Sequence, residues 1–187
     1  MANRNTQGFG LIAAGTLGST PATSGQGKYK IDAGSTTTIY NGAAVASNAG
    51  YIIDGQTTDA PILGVLNGIF FNAATTLKPT FSNFYKQPIT PANSEDIDAF
   101  VFDNPQQQYV VATDDSVAQS GYLETYDMNT SAGSDTTGKS SATLDIGDTS
   151  ADAASFRLLR SAEDPENDEN AAFRSVIVVP NLIELQS

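Results

Sequence analysis

The 187 residues include no cysteine, no histidine and no tryptophan. Without Cys or His, zinc fingers, iron–sulfur clusters, blue-copper sites and Ser-His or Cys-His nucleophile pairs are impossible. No disulfide framework can form, so the chain is not a small stapled secreted scaffold. Charge is also scarce, at 16% of residues against about a quarter in ordinary globular domains. What charge there is leans to one sign, with nine Lys+Arg against twenty-one Asp+Glu and a net charge of -12. That balance repels phosphate backbones, so no nucleic-acid partner is expected. Long apolar runs are missing as well. Ile62 to Leu66 and Val176 to Val179 fall far short of the roughly 20 residues a bilayer span needs, so no membrane partner is expected. The weak apolar stretch from Phe9 to Leu17 follows Arg4 but is broken by glycine, and no small-x-small cleavage site follows it. A signal peptide is therefore not expected.

Helical periodicity is the next absence. Nowhere do apolar residues recur at i, i+3, i+4 and i+7 over three turns. Short strands and turns fill the chain instead. Tyr29 and Ile31 alternate with Lys28, Lys30 and Asp32, the pattern of a half-buried strand. Thr36 to Tyr40 is β-branched and aromatic, and the Asn41-Gly42 pair after it predicts a hairpin. Tyr51 to Ile53 stops at Asp54-Gly55, and Ile62 to Phe71 carries Gly64 and Gly68 inside an apolar run. Such a run reads as a buried strand with bends or bulges. Ile97 to Asp103 is the clearest strand, turned by Asn104-Pro105, with Gln108 to Ala112 predicted to return as its partner. Ser116-Val-Ala-Gln119 fits a capping box, but Gly121 leaves room for one helical turn. Leu144 to Ile146, Phe156 to Arg160 and Phe173 to Val179 complete the strands. The expectation is an all-β fold, a Greek-key barrel or sandwich with at most one short helix.

Residues 1–27 read as an extended N-terminal arm and residues 28–187 as the β-rich domain. The arm is rich in Gly, Ser, Thr and Asn and shows no strand or helix period. Its apolar side chains are costly in water. Either the arm lies down on a partner surface and orders there, or it folds back across its own domain. Charge divides unevenly along the chain. Met1 to Ile53 has three bases and one acid, Asp54 to Thr90 has two of each, and Pro91 onward has four bases against eighteen acids. Either the C-terminal half simply has a solvated acidic surface, or the chain is a two-sided object whose slightly basic N-terminal part touches something and whose acidic part faces water.

Two strings resemble chemical motifs. Gly133 to Ser140 matches G-x-x-x-x-G-K-S at every defined position. A phosphate-binding loop needs a buried strand entering it and a helix leaving it. Here a polar segment leads in and the strand-like Ser141 to Gly147 leads out. The magnesium candidate, Asp103, precedes the loop. A surface loop is the expectation, and a nucleotide site is not. Asp164 to Asn170 alternates oxygen ligands, but Glu169 and Ser175 stand where a calcium loop needs glycine and glutamate. The paired carboxylates Asp114-Asp115 and Glu95-Asp96 sit at turns, where capping explains them. Tyr and Phe are scattered through the strands and read as core. No catalytic residue, cofactor site or metal site is expected, and the chain does not read as an enzyme.

Taken together, these patterns resemble the head decoration (capsid cement) proteins of tailed bacteriophages, particularly of the marine and cyanobacterial type. The residues that carry the resemblance begin with Met-Ala-Asn and Gly8-Phe9-Gly10. Tyr29 to Gly34, Ile39 to Val45, Ile62 to Gly68 and Ile97 to Pro105 follow. Thr137 to Ser140, Leu144-Asp145, Phe156 to Leu159 and Val176 to Val179 complete the set. The resemblance implies an accessory protein on the outer surface of an expanded HK97-type icosahedral shell, bridging neighbouring capsomers. It implies the major capsid protein and the chain itself, as a homotrimer, for partners. It also implies synthesis in the bacterial cytoplasm, which the lack of Cys suits. Arg4, Phe9, Leu11, Ile12 and Leu17 are the candidate capsid-contacting residues, as the base and apolar side chains of the arm. A phage tail-tube subunit is the nearest alternative, followed by a glycan-binding module, which the lack of Trp disfavours, and a P-loop NTPase.

Overall fold

Along Ile97–Phe102, buried and half-buried residues alternate one for one, the period that puts successive side chains on opposite faces of a sheet. The computed structural model describes residues 3, 5–18, 25–55, 61–129, 132–147, 154–168 and 170–186. Its strands are β1 (Ile12–Thr16), β2 (Gly27–Ile31), β3 (Ala44–Asn48), β4 (Tyr51–Asp54), β5 (Gly64–Asn72) and β6 (Pro79–Ser82). They continue with β7 (Ile97–Phe102), β8 (Gln107–Ala112), β9 (Thr125–Tyr126), β10 (Phe156–Ser161) and β11 (Ser175–Pro180). Two antiparallel sheets result, a β sandwich and not a closed barrel. The first sheet runs β1-β8-β11-β10-β9; the second runs β2-β7-β5-β3-β4, with β6 also paired to β5. Helical structure among the described residues is confined to single 3-10 turns at Ala92–Ser94, Gln119–Gly121 and Glu184–Gln186.

The second sheet buries both faces at its centre. Consecutive residues of one strand enter different cores: Ala44 and Val65 join the cluster of Tyr109, Val111, Phe156, Leu158, Val176 and Val178. Val45 and Leu66, their chain neighbours, join Ile31, Ile39, Ile52, Ile69, Tyr85 and Val101. That explains the unbroken apolar run at Ile62 to Leu66, because a strand covered on both sides has no polar face to show. The bulge between Leu66 and Gly68 lies where the two glycines predicted a bend. The strands at the two ends of this sheet, β2 and β4, approach each other, so it curls around the second core.

Several local expectations give way to tertiary pairing. The turn at Asn104 closes, with Gln107 N–H donating to Asn104 O at 3.0 Å, but β7 and β8 belong to different sheets. Both edges of β7 are already taken by β2 and β5, so the returning strand must cross over. Tyr109 Oη then ties the crossing by donating to Phe102 O at 3.1 Å. Asn41-Gly42 forms no hairpin. Asn41 bridges Lys139 in parallel, and Gly42 N–H donates to Leu66 O at 2.9 Å. The true β3–β4 hairpin turns on Ala49 and Gly50, both with positive φ (51° and 87°), as a type I′ turn requires. Leu144 makes single bridges to Thr113 and Met128, outside any strand. The 3-10 turn after Ser116 starts at Gln119 with no side-chain cap.

The N-terminal segment is the main correction. Ile12–Thr16, expected to be part of a mobile arm, is the edge strand β1, paired antiparallel with β8. Ahead of it the chain is strapped across the domain. Asn3 Nδ2 donates to Ala172 O at 2.9 Å, Asn5 Nδ2 donates to Ser175 Oγ at 3.2 Å, and Leu11 N–H donates to Gly42 O at 2.8 Å. Gly8 is required here: a Cβ would run into Ser141 O and stand 2.8 Å from Ala142 O. The segment therefore folds back on its own domain, the second of the two expectations.

Candidate interaction surfaces

Of the five candidate contact residues, Arg4 lies outside the described residues. Leu11 is 3% exposed and belongs to the core between the sheets, so it has no free surface to offer. Phe9 is half-buried. Ile12 (48% exposed) and Leu17 (36%) do face solvent, at the first residue of β1 and just beyond its last. The structure thus splits the set, keeping two apolar side chains on an edge strand and withdrawing one into the core.

A second surface was not visible in the sequence. On the face of the second sheet that carries Val65 and Phe102 toward the first sheet, beyond the cover of the inter-sheet core, register brings Lys30, Asp98, Phe70 and Phe81 into one cross-strand row. Lys28 and Phe100 are partners in the adjoining row, and Phe100 faces Gly68. Phe81 is 64% exposed, and its ring lies 6.1 Å from that of Phe100. It lies over Gly68, where a Cβ would come 2.8 Å from its Cζ. Two ammonium groups share one carboxylate beside these rings: Lys28 Nζ stands 2.7 Å and Lys30 Nζ 2.6 Å from the Asp98 oxygens. Burial opposes the charge on Asp98, yet hydrogen bonds from Lys28 and Lys30 hold its carboxyl below the ordinary value. The hydrogen bond to Asp98 raises Lys30 in turn. Of these aromatic residues, expected in the core, Phe81 is exposed and Phe70 and Phe100 are half-buried, with the lysines beside them. Four-residue β6 begins at Pro79, too short and too polar to advertise itself as a strand.

The motif-like strings are structural. Gly133 and Ser140 pair as an antiparallel bridge, with Gly138 N–H donating to Ser134 O at 2.7 Å. No helix follows, and Ala142 and Leu144 go to the core. Asp135 in this loop accepts from Tyr40 Oη at 2.8 Å and pairs with Lys86 at 2.9 Å. Those bonds, Lys86 first, lower its carboxyl. Tyr40 itself stacks on Phe84, centroids 5.7 Å apart. Asp103, the magnesium candidate, accepts from Tyr29 Oη at 2.8 Å. Burial, then that bond, pushes the Tyr29 phenol up to about 12. In the Asp164 loop, Asp164 and Asp168 each accept a backbone N–H two residues on, from Glu166 and Asn170, at 3.0 Å. These are Asx turns. Asp114 accepts from Ile146 N–H at 2.9 Å and Asp115 from Ser116 N–H at 2.6 Å. Among the described residues, no three acidic side chains group as a metal site.

Compared with protein-family models, curated proteins and solved structures, the chain matches none.

Proposed function

We propose that this chain is a structural virion protein that binds the outside of an expanded HK97-type capsid and bridges neighbouring capsomers, as a homotrimer. The observation that carries the reading, beside the sequence resemblance, is how charge is distributed in the fold. Residues 1–102, which hold the second sheet, have five bases and six acids; residues 103–187, which hold all of the first sheet except β1, have four bases and fifteen acids. The first part is near neutral and exposes Ile12, Leu17, Ile53, Leu77 and Phe81, while the other is strongly acidic and exposes Leu123 and Leu185. This is the polarity of a protein with one side on a surface and the other in water. Ile12 on the charge-free edge strand β1 and Leu17 just beyond it remain contact candidates under this reading, with Leu11 withdrawn.

Binding that favours the expanded lattice stabilises it by mass action, and symmetric repetition of weak contacts makes attachment durable. The test is co-sedimentation of the purified protein with expanded and unexpanded shells that lack it. Saturable binding to expanded shells alone is the expected result. Binding to neither, with self-assembly into tubes, would replace this reading with the tail-tube one.

A further inference from the structure

We infer that copies of this chain join head to tail: the β5–β6 turn of one copy, carrying Leu77 and Lys78, enters the groove beside the 3-10 turn Gln119–Gly121 of the next. The inference rests on the homotrimer of the proposed function and names the contact that builds it. The turn is a preformed projection. Leu77 N–H donates to Ala73 O at 2.8 Å and Ala73 N–H to Lys78 O at 3.2 Å, so little ordering is left for binding to supply. Ala74 to Pro79 are all exposed, and Leu77, at 70%, is the most exposed large apolar side chain among the described residues. The groove has a volume of about 480 Å³, with Val117, Tyr126 and Ile146 supplying its apolar lining and Glu124 a carboxylate. Leu123, 62% exposed, precedes Glu124 in the chain. Leu77 and Leu123 both hold positive φ, 53° and 68°, a conformation strained for leucine and found most at functional sites.

Charge selects a second copy as the occupant. Residues 60–94 hold two lysines and no acid, in a chain with twenty-one acids. Lys86 pairs with Asp135, whereas Lys78, exposed beside Leu77, makes no ion pair among the described residues. The groove lies in residues 103–187, where four bases stand against fifteen acids. Glu124 is exposed there and also makes no ion pair among the described residues. Asp115 and Asp145 adjoin the lining residues Ser116 and Ile146. Arg157, paired with Thr125 across the strands, donates instead to Leu123 O and Asn181 Oδ1. An acidic groove with an apolar floor repels an acidic partner and admits a cationic one with an apolar tip. The β5–β6 turn has that composition. Leu77 anchors the contact, and the Lys78–Glu124 pair, exposed and weak alone, sets its orientation. Turn and groove are different patches of one chain, so the contact is heterologous and closes as a ring, of three copies under the proposed reading.

The test uses the full chain and four variants: Leu77→Asp, Lys78→Glu, Glu124→Lys and the double variant Lys78→Glu/Glu124→Lys. Aspartate tolerates positive φ, and all three positions are exposed, so each variant should fold, which circular dichroism checks. Light scattering over a range of concentrations then reads the mass. The parent is expected to assemble as a trimer. Each single variant should need about tenfold or more protein to reach the same mass, as loss of an anchor or a like-charge contact does. The double variant, which restores an opposite pair across the contact, should regain the parent's assembly relative to either charge variant. A monomeric parent overturns the inference, and so does an assembled parent whose single variants assemble equally well. A double variant no better than its two singles overturns the pairing of Lys78 with Glu124. Co-sedimentation with expanded shells stays a separate reading: a monomer that binds them leaves decoration standing without this contact, and a trimer that binds none keeps the contact and sinks decoration.

Discussion

The two sheets bury their residues in different ways. In the first, β8 and β10 send every other side chain inward: Tyr109, Val111, Phe156 and Leu158 are buried, while Val110, Arg157 and Leu159 are partly open. That is the alternation of an antiparallel sheet with one wet face. The second sheet is covered on both sides along β3 and the first half of β5, then opens to solvent where β6 joins it. One sheet covers a single core, with two arginines and no acid in its strands, the acids of residues 103–187 lying outside them. The other is the wall between two cores and, at its far end, an apolar surface with no cover. The comparison teaches that folding and display divide the second sheet along its length, whereas in the first sheet they divide between faces.

The sharpest way to break this picture is to cut into each core separately. Phe156→Ala, which empties a fully buried site edge-on to Tyr109, should cost about 3–5 kcal/mol, and Leu66→Ala on the other side of the wall about 2–5 kcal/mol. Denaturant titrations of both should show one transition, because adjacent residues of β5 serve both cores. Two separate transitions would show that the halves fold independently. Next in size is the strap. Gly8→Val should destabilise by about 1–3 kcal/mol through overpacking, whereas Gly15→Val, which meets nothing within 4 Å, should stay within about 0.5 kcal/mol by the same titration.

A smaller effect separates charge from packing on the second sheet. Asp98→Asn should cost about 1 kcal/mol at neutral pH, since it breaks two charge-assisted bonds on a mostly buried carboxylate. The folded carboxyl titrates below its ordinary value. Its contribution is therefore complete above the unfolded value of about 4 and fades as pH falls through the lower folded one. Thermal melts of parent and variant should converge toward pH 2. Smallest of all, Phe81→Ser should move stability by no more than about 0.5 kcal/mol, because a residue kept for contact does little for the fold.

Much of the fold was legible because period and burial agree. The alternation of Ile97 to Phe102 and the apolar run ending at Leu66 each found the strand they describe. Pairing was less legible, because it depends on which edges are free. The turn at Asn104-Pro105 was read correctly as a turn, but its strands went to different sheets once β2 and β5 had filled both edges of β7. Asn41-Gly42 carried the stronger hairpin signal, yet Ala49-Gly50 made the turn, since Asn41 was claimed by Lys139 and Asn67. In the N-terminal segment, Gly and Ser composition concealed a strap whose glycines are needed for close approach. The aromatic face was hidden for a simpler reason. Phe70, Phe81 and Phe100 are far apart in sequence, and only the register of three strands brings them together.

The proposed orientation puts the near-neutral residues 1–102 against the partner and the acidic residues 103–187 in water. Hydroxyl-radical footprinting of the free and shell-bound protein measures this directly. Side-chain oxidation at Ile12, Leu17 and Phe81, exposed apolar side chains of the near-neutral part, should fall on binding, while Leu123, exposed in the acidic part, should react as in the free chain. Protection of Leu123 with Ile12, Leu17 and Phe81 unchanged would contradict this orientation and turn the molecule over on its shell.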